Sequence, residues 1–207
     1  MRLLVVLLLA ATFATELPAQ RPRPSVGAQV GYSRSDIGGP DADQIGSRQG
    51  ALSGVFLHFP VTRALAVRPE LLFSLKGGGT LAPLEDGGGT IPLDFELAYL
   101  ELPVLAHLSP AIGRYRPVIF AGPAPALQIG CDVELGFQSG PQRLTCNEAG
   151  PTFRGWDLGL VAGAGVEAHL SRSTLALEAR YTTGVRSIVD DFRASNRTFA
   201  LLLALTF

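Results

Sequence analysis

Charge, cysteine and long apolar runs are all scarce in this chain, and each scarcity narrows what it can be. Asp, Glu, Lys and Arg make up 17% of the 207 residues and nearly cancel, leaving a formal net charge of −1. With no basic or acidic excess, nucleic acid is not an expected partner. Cys131 and Cys146 are the only cysteines, and neither has the further Cys or His at the spacing of a zinc site. The longest apolar run, "LLVVLLLAA" at residues 3–11, falls well short of the ~20 residues with which a helix spans a bilayer. There is no G-x-x-x-x-G-K-[ST] phosphate loop and no G-x-S-x-G elbow. Ser, His and Glu occur, but at no spacing that marks a catalytic set, so no cofactor and no enzymatic activity are expected.

What is present begins with an export signal. Arg2 precedes the apolar run, and small residues continue to a cut near Ala14 or Ala19, so residues 1–20 are expected to be removed and 21–207 to form one domain. Removing one Arg and one Glu with the signal leaves the net charge unchanged. Export also puts the two cysteines in an oxidising compartment. There a Cys131–Cys146 disulfide is the expected state, contributing about 3 kcal/mol, with free thiols as the alternative.

Beyond the signal the apolar residues alternate with a period of two, as in half-buried strands. Eight such segments, at 25–35, 51–59, 64–75, 94–108, 114–129, 156–170, 174–183 and 196–207, are separated by Gly, Pro, Asp, Asn and Ser. The connections alternate as well: 36–49, 76–93, 130–155 and 184–195 are long, whereas 60–63, 109–113 and 171–173 are short. Hairpins that reverse at every connection put all long loops at one end. The pattern predicts an all-β fold, an eight-stranded antiparallel up-and-down transmembrane β-barrel with both termini on the periplasmic side of a Gram-negative-type outer membrane.

The two faces of each strand differ in kind. In the last segment Phe199, Leu201, Leu203, Leu205 and Phe207 oppose Thr198, Ala200, Leu202, Ala204 and Thr206. The same parity sets Leu65, Val67, Leu71 and Phe73 against Arg68, Glu70 and Ser74, and sets Leu175, Leu177 and Tyr181 against Glu178 and Arg180. Glu101, Arg116 and Glu167 fall on the small, polar face too. An Arg on the lipid face near the midplane costs about 2–4 kcal/mol. Arg68, Arg116 and Arg180 are therefore expected to point inward and to pair with Glu70, Glu101, Glu167 and Glu178 in a narrow lumen. Aromatic residues divide into two belts: Tyr32, Phe73, Phe95, Trp156, Tyr181 and Phe199 near the long-loop end, and Phe59, Tyr115 and Phe207 near the other.

Three features need separate expectations. Pro69, Pro103, Pro117, Pro123 and Pro125 lie inside strand segments, where a closed barrel has no free edge, so bulges or strand ends are expected there. The repeated "GGGT" at 77–80 and 87–90 is read as flexible loop. His58, His107 and His169 fall near the short-turn ends of alternate segments on the inward parity. Polar lumen residues are the expected reading for them, with a metal such as zinc as the lesser one.

The pieces "RPELLFSLKG", "YLELPVL", "RPVIFAGP", "DLGLVAGAGVE", "LEARYTTGV" and "NRTFALLLALTF" follow one another along nearly the whole mature chain. In these the chain resembles the small outer-membrane β-barrel domains of the porin-T-like (PorT) family. The resemblance implies that Phe207 forms part of the signal read by the barrel-assembly machinery, and that several of the prolines sit where the family places them.

An eight-stranded barrel has an interior that side chains fill, so an open pore is not expected. The expected role is structural or interactive: outer-membrane lipid around the wall, and an extracellular or envelope protein meeting the outside loops, of which 130–155 is the largest. A membrane-embedded lipid-modifying enzyme and a secreted, lipocalin-like binding barrel are the alternatives.

Overall fold

A computed structural model of the chain describes residues 23–38, 46–83, 89–110, 115–137, 140–146, 155–185 and 195–207. The expected signal, residues 1–20, lies outside them, as do Arg114 and Gly87. Among the described residues ten strands occur: β1 (Ser25–Gly38), β2 (Gly46–Pro60), β3 (Leu65–Pro83), β4 (Thr90–Glu101), β5 (Val104–Leu108), β6 (Tyr115–Phe137), β7 (Gly140–Thr145), β8 (Trp156–His169), β9 (Thr174–Gly184) and β10 (Ser195–Thr206).

All pairings are antiparallel and the sheet closes on itself. β1 pairs β2 on one side and β10 on the other. The ring continues through β9, β8 and β6, then through β4 and β5 to β3, and β3 returns to β2. β4 and β5 both lie between β3 and β6, so they form one stave interrupted at Leu102 and Pro103. β7 pairs only with β6 among the described strands, outside the ring. The ten strands thus build the expected eight-staved barrel, and the single segment expected at 94–108 is two strands.

That interruption explains most of the prolines. Pro69 stands opposite Val104 in the β3–β5 register, and Glu70 N–H donates to Pro103 O at 2.8 Å. On β6, Leu102 N–H donates to the Pro125 carbonyl at 2.8 Å. Pro123 has the same parity as Pro125, and both therefore face the interrupted stave, where a missing N–H leaves no ladder bond unmade. Pro103, Pro123 and Pro125 share one local defect in the wall, whereas Pro69, beside Glu70 whose N–H faces β5, faces β2 at a gap in the β2–β3 register between Phe56–Glu70 and Phe59–Val67.

The ends differ less than the sequence predicts, because strands take up much of the expected loops 36–49, 76–93 and 130–155: only 39–45 and 84–89 separate β1 from β2 and β3 from β4, and 84–89 is no longer than 109–114 at the other end. The short connections, after β2, β5 and β8, gather at one end with the start of β1 and the finish of β10, where Phe207 N–H donates to Val26 O at 2.9 Å. The far ends of β1, β3, β7 and β9 gather at the other. "GGGT" at 77–80 departs from expectation: it belongs to β3, which runs on to Pro83 and pairs with β4 throughout, Gly77 opposite Glu96 and Thr80 opposite Leu93. Gly77, at φ 147°, lies close under the Phe95 carbonyl, and a Cβ there would collide with it.

Small inward residues make room for large ones. The inward glycines Gly27 and Gly163 lie against the rings of Phe56 and Phe120, and a Cβ on either would overlap the ring. Phe56 packs with Ala176 and Ala204, and Phe120 with Leu105, Val118, Ala124 and Val161. The two rings are the apolar floor on which the charged groups of the lumen rest.

Candidate functional site: the braced lumen

β3 and β9 are diametrically opposed, with three staves between them on either side, and both carry charges of the inward parity. Arg68 on β3 reaches across to Glu178 on β9 with a two-pronged contact, Nη1 to Oε1 at 2.7 Å and Nη2 to Oε2 at 2.8 Å. Arg180 on β9 returns the contact to Glu70 on β3, at 2.8 and 3.0 Å. Arg68 Nε also donates to Glu70 at 2.7 Å, and its Nη2 donates to Gln29 Oε1 at 3.2 Å. Fork-to-fork geometry of this kind is the strongest ion pairing that Arg offers. All four charged side chains are buried, and the set is electrically neutral. The guanidinium of Arg68 stands 4.5 Å above the Phe56 ring, and that of Arg180 stands 5.4 Å from Phe120.

A second set lies toward the long-loop end. Glu101 on β4 takes the ammonium of Lys76 at 2.9 Å and the hydroxyl of Ser74. Above it Asn196 on β10 donates to Tyr99 on β4 at 3.3 Å and to Asp157 on β8 at 3.2 Å. β10 and β4 are again opposed staves, so Asn196–Tyr99 is a second strut across the lumen. Between the decks is a void of about 20 Å³, lined by Ser33, Ser74, Lys76 and Thr198 among others, room for about one water.

The short-turn end is different. A cavity of about 430 Å³ opens there, with Arg68 at its floor and the three histidines, Arg116 and Glu167 on its walls. Arg116 and Glu167 face each other in the β6–β8 register and stand apart from the quartet. Glu167 instead accepts from Ser109 Oγ at 3.1 Å. The His58 and His107 rings meet edge to face at 6.3 Å, His107 stacks on Phe120 at 4.8 Å, and His169 Nδ1 lies 2.9 Å from Thr174 Oγ1. No group of three or more His, Cys, Asp or Glu side chains with metal-holding geometry occurs among the described residues.

Comparison with known proteins bears on the same geometry. The model of the outer membrane protein beta-barrel domain matches residues 19–190. The chain belongs to this outer-membrane β-barrel family. Two solved barrels share its fold. Neisserial surface protein A is 10% identical with a TM-score of 0.51, over 90% of this chain and all of that one. The outer membrane protein OprG from Pseudomonas aeruginosa is 11% identical with a TM-score of 0.51, over 89% and 95% of the two chains. No curated protein matches the sequence.

For an outer-membrane barrel the exposed outer face is the lipid face. Val30, Leu71, Leu177, Leu201 and Leu203 point outward and are exposed. So do Tyr32, Phe73, Trp156, Tyr181 and Phe199 near the long-loop end and Phe59, Tyr115 and Phe207 near the short-turn end, while Phe95 is half-buried. Among the described residues no helix is long and apolar enough to cross a membrane.

At the long-loop end β6 runs on past the end of β8, still paired with β4 as far as Leu135, and β7 pairs along its other side, Phe137 opposite Gly140 and Asp132 opposite Thr145. A disulfide joins Cys131 to Cys146, with Cα atoms 5.5 Å apart, and fastens the foot of this hairpin to the wall. Closing a loop of 15 residues contributes about 3 kcal/mol, and here it acts on the hairpin and on the end of β4 that pairs with it, Leu93 to Glu96. Replacing both cysteines by serine is expected to leave the barrel's folded gel mobility intact while proteolysis between 137 and 147 speeds up. A barrel that unfolds when the pair is reduced would contradict this local role.

Lys76, Gln29 and the Asn196, Tyr99, Asp157 set are not expected from the sequence. Lys76 shares the even parity of Arg68, Glu70 and Ser74, and it is the glycines after it that mark the segment as loop. The hairpin strand β7 leaves no periodic signal in "GPQRLT".

Proposed function

We propose that the protein is an outer-membrane scaffold whose lumen is held shut and whose long loops, the disulfide-fastened β6–β7 hairpin foremost, make surface contacts with an extracellular or envelope partner. The observation that carries this reading is the neutral Arg68, Glu70, Glu178, Arg180 quartet spanning the full width of the barrel. A solute would have to break four buried charge-assisted contacts across the lumen to pass, which costs far more than its own transfer returns. In this reading the long loops are outside and the short-turn end, with both termini, faces the periplasm. Phe207 would serve the assembly machinery, as in the porin-T-like barrels that the short motifs resemble.

Planar-bilayer recording tests the closed lumen: the protein is expected to give no unitary conductance. A variant carrying Arg68→Ala with Glu178→Ala, which removes one strut but keeps Glu70 paired to Arg180, is expected to admit small ions. Steady conductance by the unaltered protein would sink the reading. Sidedness is tested with Arg143→Cys in a background lacking Cys131 and Cys146, since Arg143 is exposed on β7. A membrane-impermeant maleimide should label it in intact cells, and labelling only after lysis would invert the orientation. Lipid mass spectrometry with and without expression addresses the enzyme class, because altered acyl chains would replace the scaffold by a lipid-modifying activity.

A further inference from the structure

We propose that the cavity at the short-turn end is a binding site for a small oxyanion, a carboxylate or a phosphate, gripped by Arg116 and by the imidazoles of His107 and His169. The size fits: about 430 Å³ lies within the range of small-molecule sites, roughly 300–1,000 Å³. The charge fits as well. The quartet beneath the cavity is neutral, so the walls carry Arg116 and Arg63 against the single carboxylate of Glu167. That carboxylate is taken up by Ser109, and although Arg116 lies opposite it in the register, no ion pair joins the two.

The strongest sign is what the walls leave unpaired. Arg116 Nε is buried without a partner, and so is His169 Nε2. His107 is 1% exposed, and neither of its ring nitrogens has a partner. Buried polar atoms are nearly always hydrogen-bonded, and leaving one unmade costs about 1–3 kcal/mol. A guanidinium offers donors only, and a neutral imidazole offers one donor and one acceptor. Such a set suits an acceptor-rich anion. A cation finds little here, because Glu167 is the one carboxylate and no three metal-type ligands converge.

The test is nuclear magnetic resonance of histidine-labelled protein refolded in nanodiscs, titrated separately with inorganic phosphate and with acetate at fixed pH and constant ionic strength. Saturable shifts of the imidazole signals with either anion support the site, and the one that saturates at lower concentration identifies the preferred oxyanion. Arg116→Gln should weaken binding by about tenfold, the loss of one charge-assisted contact. Glu167→Gln should tighten binding by removing the opposing charge, and it serves as the independent variant if Arg116→Gln does not fold. Absence of a saturable shift with either anion overturns the proposal. So does an unchanged affinity in the folded variants, or saturation by zinc alone where both anions fail.

Discussion

Glu70→Ala is expected to destabilise the folded barrel by about 3–5 kcal/mol, the usual cost of removing one partner from a buried ion pair. The carboxylate receives both prongs of Arg180 and the Nε of Arg68, so its loss strands donors on two guanidinium groups at once. Glu178 cannot take up the slack, because its oxygens are engaged by Arg68 and its Oε2 lies 3.9 Å from Arg180 Nη2. All four side chains are buried, and salt screens buried pairs much less than exposed ones. Urea unfolding in lipid vesicles, followed by the mobility of unheated samples on gels, measures the loss. Glu134→Ala is the control: its contact with Arg143 is 3.4 Å long and exposed, and an exposed pair contributes about 0–1 kcal/mol. Equal losses in the two variants would mean that the lumen network braces nothing.

Why the amino-acid sequence reveals the quartet, and not the upper deck, comes down to the strength of each signal. Arg68, Glu70, Glu178 and Arg180 interrupt strongly apolar strands, and a charge in such a strand has one tolerable direction. Period-two parity then assigns all four to the same side. What parity cannot supply is the partner across the barrel. That Arg68 meets Glu178 depends on which staves oppose each other and on their stagger, which is a property of closure and not of any one strand.

Arg116 and Glu167 show the limit of the same reasoning. Their inward parity groups them with the quartet, yet they lie nearer the short-turn end, at a different height along the axis. The upper deck is hidden for another reason. Asn196, Tyr99 and Asp157 share the inward parity of their strands, yet they lie near the strand ends, where a polar side chain turned outward costs little, so parity alone does not mark them as buried. Glycine misleads at Gly77–Gly79, which stay within β3, Gly77 making a close approach to the Phe95 carbonyl and not a turn. The prolines stand out as anomalies in the strand pattern, and the resolution of Pro103, Pro123 and Pro125 at the Leu102–Pro103 interruption requires that the broken stave and β6 be neighbours, which no single segment can tell.

Sidedness, on which both the brace and the lipid contact depend, yields the second large effect. Leu203 lies on β10 four residues from Phe199 and four from Phe207, the two belts, and so near the bilayer midplane. It is exposed, and its cross-strand neighbours are Val30 and Leu177, both exposed as well. An arginine at 203 would find no acidic or polar partner among them. Leu203→Arg is therefore expected to cost about 2–4 kcal/mol in vesicle unfolding. Thr206→Arg, only three residues on but of opposite parity, would enter the wall of the open cavity, where Thr206 already stands, and is expected to cost about 1 kcal/mol or less, as near an interface. Similar losses in the two variants would show that hydrocarbon does not bathe the Leu203 face. The buried arginines would then need some other reason to point inward, since lipid is what makes the outward direction so costly for them.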